Sequence, residues 1–87
     1  SMYAVSVEDR EKVADFCADT KSLISHYKVL MSFLNDGKSI SIYSRNSASK
    51  SITHLIIFIR SEEAATLVLL YGSNIELTNF LSENMGL

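Results

Sequence analysis

The residues of this 87-residue chain whose side chains could do chemistry are few and scattered. His26 and His54 would need convergent partners to act as metal ligands or general bases. The single cysteine, Cys17, stands at a spacing from them that matches no zinc pattern. Both histidines therefore read as structural or solvent-exposed. Cys17 sits beside Phe16 on an apolar stripe and reads as a small buried hydrophobe rather than a nucleophile. Arg45, Lys50 and the serines between them could hold a phosphate or be phosphorylated, but no glycine-rich nest accompanies them, and a solvated hairpin loop fits better. Glu62 and Glu63, like Asp9, Glu11 and Asp15, read as solvated charge, with no pair of carboxylates spaced for acid–base work. No catalytic, cofactor-binding or metal-binding residue is assigned, so the expectation is a non-enzymatic domain without a cofactor. Tyr27, Tyr43 and Tyr71 are packing residues in the first instance. Tyr43 and Tyr71 also end predicted strands, where tyrosine can anchor a contact surface.

The element around which these residues are arranged is the run His54 to Arg60, whose five central residues, Leu55 to Ile59, are all apolar. It is too short for a stand-alone helix and is apolar on both faces of a strand, so it reads as a central strand covered on both sides. Lys38 to Arg45 alternates, with Ile40 and Ile42 on one face and Ser39, Ser41 and Tyr43 on the other, as a half-buried strand at an edge would. Thr66 to Tyr71 is a third strand, again apolar on both faces. Asn46 to Ser51 is a polar connection and Ser61 to Glu63 a short charged turn.

Upstream, Ser6 can cap a helix with Glu8 and Asp9 in its first turn. Val13, Phe16, Cys17, Thr20, Leu23, Ile24, Tyr27, Leu30, Met31 and Leu34 then follow at steps of three and four. This predicts two helices, over about 7–18 and 20–35, or one long bent helix, ended by Asn35-Asp36-Gly37 with Gly37 in the left-handed turn. Downstream, Ser73 and Glu76 match a capping box ahead of a helix carrying Ile75, Leu77, Phe80 and Leu81. The expected fold class is α+β: two N-terminal helices (or one), a three-stranded antiparallel meander, and a C-terminal helix.

Length makes this one small domain over residues 1–87, which buries about 60–65% of its unfolded surface. The hydrophobic fraction of 47% is high for that size and the mean hydropathy is +0.15, which hints at apolar surface buried against another chain. A net charge of −2 argues against a general nucleic-acid binder. No apolar run reaches the roughly 18–20 residues of a membrane span and no signal peptide opens the chain, so no membrane contact is expected. One cysteine fits a reducing, intracellular compartment. Ser1-Met2 reads as a cleavage scar, which would make this a domain excised from a longer protein.

From Tyr27 onward the layout resembles the N-terminal region of glycine N-acyltransferase-like proteins of the GNAT superfamily. Tyr27 and Leu30 to Leu34 on a helix, Ile40 to Ser44 as a strand, the strand His54 to Ile59, the strand ending Leu70-Tyr71, and a helix with Leu77 and Leu81 carry the resemblance. It implies the accessory half of an acyl-CoA-dependent enzyme. The superfamily's glycine-rich pyrophosphate loop has no counterpart among the separated Gly37, Gly72 and Gly86, and no active-site residue is carried across.

In a three-stranded meander the third strand lies at an edge, yet Leu67, Val68, Leu69 and Leu70 offer no charge, proline or bulge to protect it. That edge is expected to be paired or covered by a second copy, a partner strand or a following domain. The reading favoured is therefore a non-catalytic interaction or homodimerisation module of an intracellular protein, its contact surface formed by Leu67, Val68, Leu69, Leu70 and Tyr71 with Tyr43.

Overall fold

The computed structural model describes residues 1–46, 51–73, 75–76, 78–79 and 82. One helix and five strands follow in the order β1 (Met2–Val7), α1 (Arg10–Ile24), β2 (Lys28–Asn35), β3 (Lys38–Asn46), β4 (Ile52–Arg60) and β5 (Ala65–Tyr71). The strands form one sheet in the order β1-β5-β4-β3-β2, antiparallel throughout. Among the described residues the fold is thus α+β with one helical element and a dominant sheet, which corrects the expected two helices, three strands and C-terminal helix.

The expected first helix exists but starts later. Asp9, not Ser6, is its cap, with Oδ1 accepting from the Glu11 N–H at 3.0 Å. Val13, Cys17 and Thr20 form its buried stripe. Thr20 is tolerated there because its hydroxyl donates to the Phe16 carbonyl one turn back, at 2.8 Å. Ahead of the helix, Met2–Val7 is a strand, where the sequence reading assigned no element before the expected cap at Ser6.

Of the expected second helix, the first residues belong to α1 and the latter half is β2. Leu30, Met31, Phe33 and Leu34 satisfy a period of two or of 3.6 almost equally, so local pattern leaves the choice to pairing. Asp36 and Gly37, at φ 53° and 78°, do not end a helix. They form a two-residue turn with both central residues left-handed, the geometry of a type I′ hairpin. Asn35 and Lys38 flank it in register, and β3 becomes an interior strand rather than an edge.

The last helix is not among the described elements. Leu77, Phe80 and Leu81 lie outside the described residues, while Thr78, Asn79 and Ser82 have helical backbone. Ile75 instead donates its backbone N–H to the Ile52 carbonyl at 2.9 Å, and Gly72 donates to the Thr53 carbonyl at 3.0 Å, so the chain leaving β5 continues alongside the start of β4. The polar connection after β3 falls partly on residues 47–50, also outside the described set.

The meander β3-β4-β5 stands as expected, with β4 in the middle position. Leu55 and Ile56, on opposite faces of β4, are both fully buried. The helix covers one face: Val13 and Cys17 of α1 pack with Phe58 and Ala65, and Val7, Phe16, Tyr43 and Leu67 surround them. The far face holds Ile40, Ile42, Leu55 and Ile57, with Leu30, Phe33, Ile59, Val68, Leu70 and Ile75 around them. At about 1.5 Å per residue, the fifteen residues of α1 span about 22 Å. Five strands at about 4.8 Å spacing place the outer two about 19 Å apart, so one helix suffices to carry the chain from one edge to the other.

The third strand of the meander is not an edge. β1 pairs with β5 along its length, from Met2 opposite Leu70 to Val7 opposite Ala65. The cover anticipated from outside comes from the start of the same chain.

Candidate interaction surface

On the helix side of the sheet, beyond the part α1 covers, five side chains from five segments line up across the strands. Arg45 of β3 lies opposite His54 of β4, and His54 lies opposite Tyr71 of β5. Directly opposite residues of an antiparallel pair share a face, so all three point the same way. Tyr3 of β1 faces Leu69 and reaches Tyr71 diagonally. Tyr27, just ahead of β2, is held by its N–H donating to the Ile24 carbonyl at 2.9 Å, which closes the turn after α1.

The rings form a continuous row. Tyr3 and Tyr71 stack with centroids 5.7 Å apart, and Tyr71 stacks on His54 at 5.7 Å. His54 meets Tyr27 edge to face at 6.4 Å. The Arg45 guanidinium lies over the Tyr27 ring, 5.7 Å from its centre. These separations suit offset-stacked and T-shaped aromatic pairs and a cation–π contact. Hydroxyls fix the row further: Tyr71 Oη donates to Tyr3 Oη at 3.4 Å, and Thr53 Oγ1 lies 3.0 Å from His54 Nδ1. The Tyr71 phenol is held above its ordinary pKa of 10.0 by the hydrogen bond to Tyr3 and the adjoining Tyr3 charge, with a lesser part from burial.

The row is accessible. Tyr3 is 56% and Tyr71 38% exposed, Arg45 is exposed, and His54 and Tyr27 are half-buried. Rings pre-stacked in this way lose little side-chain freedom on contact. Tyrosine and arginine in that setting are the residue types that concentrate binding energy at protein interfaces.

The structure separates the residues anticipated for contact. Leu67 and Tyr43 pack into the helix-side core, and Val68 and Leu70 pack on the far face. Leu69 is half-buried beside the row, opposite Tyr3 and Ile56. Tyr71 stands in the row itself. Tyr3, Tyr27, His54 and Arg45 were not anticipated as contact residues. Of the remaining candidates, Cys17 is a free, buried thiol in the helix-side core, and His26 is exposed in the turn after α1. Lys50 lies outside the described residues. Glu62 stands 4.0 Å from Arg10, both largely exposed, a pair of negligible weight. Among the described residues no three His, Cys, Asp or Glu side chains converge as a metal site would require.

Residues 1–80 match the family model described as a domain of unknown function, DUF4252, and the chain belongs to that family. No curated protein and no solved structure is matched. The resemblance to glycine N-acyltransferase-like proteins is overturned: the matched family carries no link to that superfamily. The segment Leu30 to Leu34, taken as a helix in that comparison, is a strand.

Proposed function

We propose that this DUF4252 domain is a non-catalytic protein–protein interaction module whose contact surface is the row Tyr3, Tyr71, His54, Tyr27 and Arg45. The observation that supports this reading is the continuous stacking of the row at an exposed end of the sheet. A fold satisfied with burying its aromatics would place them under α1, as it does Phe16 and Phe58, whose rings pack 6.3 Å apart. Leu69 supplies an apolar floor beside the row, and Arg45 gives it a cationic end, so a partner with an apolar patch flanked by a carboxylate would complement it.

The test is photo-crosslinking of the full chain in cells that produce it, with benzoylphenylalanine replacing either Tyr71 or Ser22, an exposed residue of α1. A discrete protein adduct is expected from position 71, absent from position 22 and lost when Arg45→Ala is added. The same adducts from both positions, or none from position 71, would defeat the proposal.

A further inference from the structure

We infer that the outer edge of β1 pairs with the β1 of a second copy, making a two-fold dimer with a continuous ten-stranded sheet. This rests on the edge alone and does not require the aromatic row to bind anything.

β1 is the first strand of the sheet, and among the described residues nothing pairs with its outer side. Its sequence, Met2 to Val7, contains no charge and no proline, and its register with β5 runs without a bulge. Met2, Tyr3 and Val5 are 59%, 56% and 54% exposed. A flat, apolar, unguarded edge is what natural sheets otherwise avoid. Among the described residues none of the usual guards is present, which implies that the edge is used.

The backbone specifies the partner. Ser1 and Tyr71 exchange both main-chain bonds, at 3.0 and 2.9 Å. Hydrogen-bonded and non-hydrogen-bonded pairs alternate along an antiparallel ladder. Tyr3, Val5 and Val7 therefore direct their backbone groups towards β5, while Met2, Ala4 and Ser6 direct theirs outwards. Rotation by a half-turn about an axis normal to the sheet and midway between the two Ala4 residues sets Ala4 opposite Ala4 and Met2 opposite Ser6. Each such pair exchanges two bonds, so every outward group of both strands is satisfied. Centring instead on Val5 sets Met2 opposite Glu8, beyond the strand, and centring on Tyr3 leaves Ser6 without a partner inside it. The edge is complementary to itself in one register.

Side chains agree with that register. The small Ala4 flanks the axis. On the helix side Tyr3 of one copy meets Val5 of the other, an aromatic–β-branched pair of the favourable kind. α1 packs over Ala65 and Phe58 with Val7 of β1 beside them, while Met2, Tyr3 and Val5 further along β1 stay more than half exposed. The opposite edge, β2, carries Lys28 and a register shift between Val29 and Met31, so pairing closes as a dimer rather than propagating.

The experiment is sedimentation of the full chain over a range of concentrations, with circular dichroism to verify folding. Ala4→Pro removes an outward N–H while sparing the bonds to β5, a position where edge strands tolerate proline. Ala4→Lys places two cations directly opposite each other across the axis. Leu34→Lys, on the exposed side of β2, is the control. The wild-type chain and the control are expected to reach twice the monomer mass, and both Ala4 variants to stay monomeric and folded at the same concentrations. Should Ala4→Pro fail to fold, Ala4→Lys decides. A wild-type monomer at every concentration overturns the inference. So does a dimer that survives the Ala4 substitutions but is lost on Arg45→Ala, since the contact would then belong to the row.

Discussion

β1 and β2 occupy the two ends of one antiparallel sheet, and each is tied to its inner neighbour by a pair of hydroxyls. Ser6 Oγ lies 3.0 Å from Thr66 Oγ1 on one side, and Ser32 Oγ lies 3.0 Å from Ser41 Oγ on the other. Beyond that likeness they differ in how they are held and how they are guarded. β2 is joined to β3 by two residues, so its pairing closes a minimal loop. β1 joins β5 across a separation of sixty residues, and such non-local contacts are made only after a large loss of chain entropy. Until β1 docks, the apolar β5 is the edge of the meander. β2 also bears a lysine and a bulge, whereas β1 bears neither. The strand that solves the edge problem of β5 thus inherits it.

The largest effect expected from this contrast is covalent. Ala4→Cys places a thiol beside the proposed axis, with the two Cα atoms about 5.5 Å apart in a hydrogen-bonded pair, within the range a disulfide spans. Under glutathione disulfide this variant is expected to convert largely to a linked dimer on non-reducing gels. Ser32→Cys on β2 is expected to stay monomeric, and the buried Cys17 to contribute nothing in the unsubstituted chain. Equal crosslinking at both edges would erase the distinction between them.

The same contrast explains what the sequence disclosed. β4 and β5 were legible from runs of consecutive apolar residues, and β3 from alternation, because those signals are local. β1 carries no turn signal, and its partner β5 lies towards the other end of the chain, so nothing nearby separates it from a lead-in to the helix. β2 was misread although a decisive local signal was present. An Asp-Gly pair between apolar segments marks a two-residue hairpin more strongly than a helix end, and that would have turned 28–35 into a strand. The candidate surface was half legible for the same reason. Arg45 ends one strand of the meander, His54 begins the next and Tyr71 ends the third, which in an antiparallel meander puts them side by side. Tyr3 and Tyr27 complete the row, one from a segment that pattern left unassigned and the other from one it took for a helix.

A smaller effect is expected at the hairpin. Gly37 sits at φ +78° with open space where a side chain would go, so Gly37→Val meets no clash and isolates the backbone penalty. Holding a non-glycine residue in that region costs about 1–3 kcal/mol, readable as a lower urea midpoint. Gly72→Ala, at the exit of β5, also meets open space but without a positive φ, and is expected to change stability by no more than about 0.5 kcal/mol. Equal losses at the two glycines would mean that the turn does not hold β2 in place.

The smallest effect concerns the side-chain tie between β1 and β5 beyond the serine–threonine pair. Tyr71 Oη donates to Tyr3 Oη, which favours the neutral phenol and raises its pKa above 10.0. A folded-state pKa above the unfolded one means that this tie contributes fully below the unfolded value and is lost as pH rises through the raised folded value. Tyr3→Phe removes the acceptor and the neighbouring charge while keeping the stacked ring. Tyr71 should then ionise closer to the ordinary tyrosine range, seen as an earlier rise in tyrosinate absorbance on alkaline titration. Stability at neutral pH should change little, because both phenols are exposed to water that can replace the bond. If the titration is unchanged in Tyr3→Phe, the two hydroxyls are not coupled, and stacking and the backbone ladder alone join the first strand to the fifth at this end.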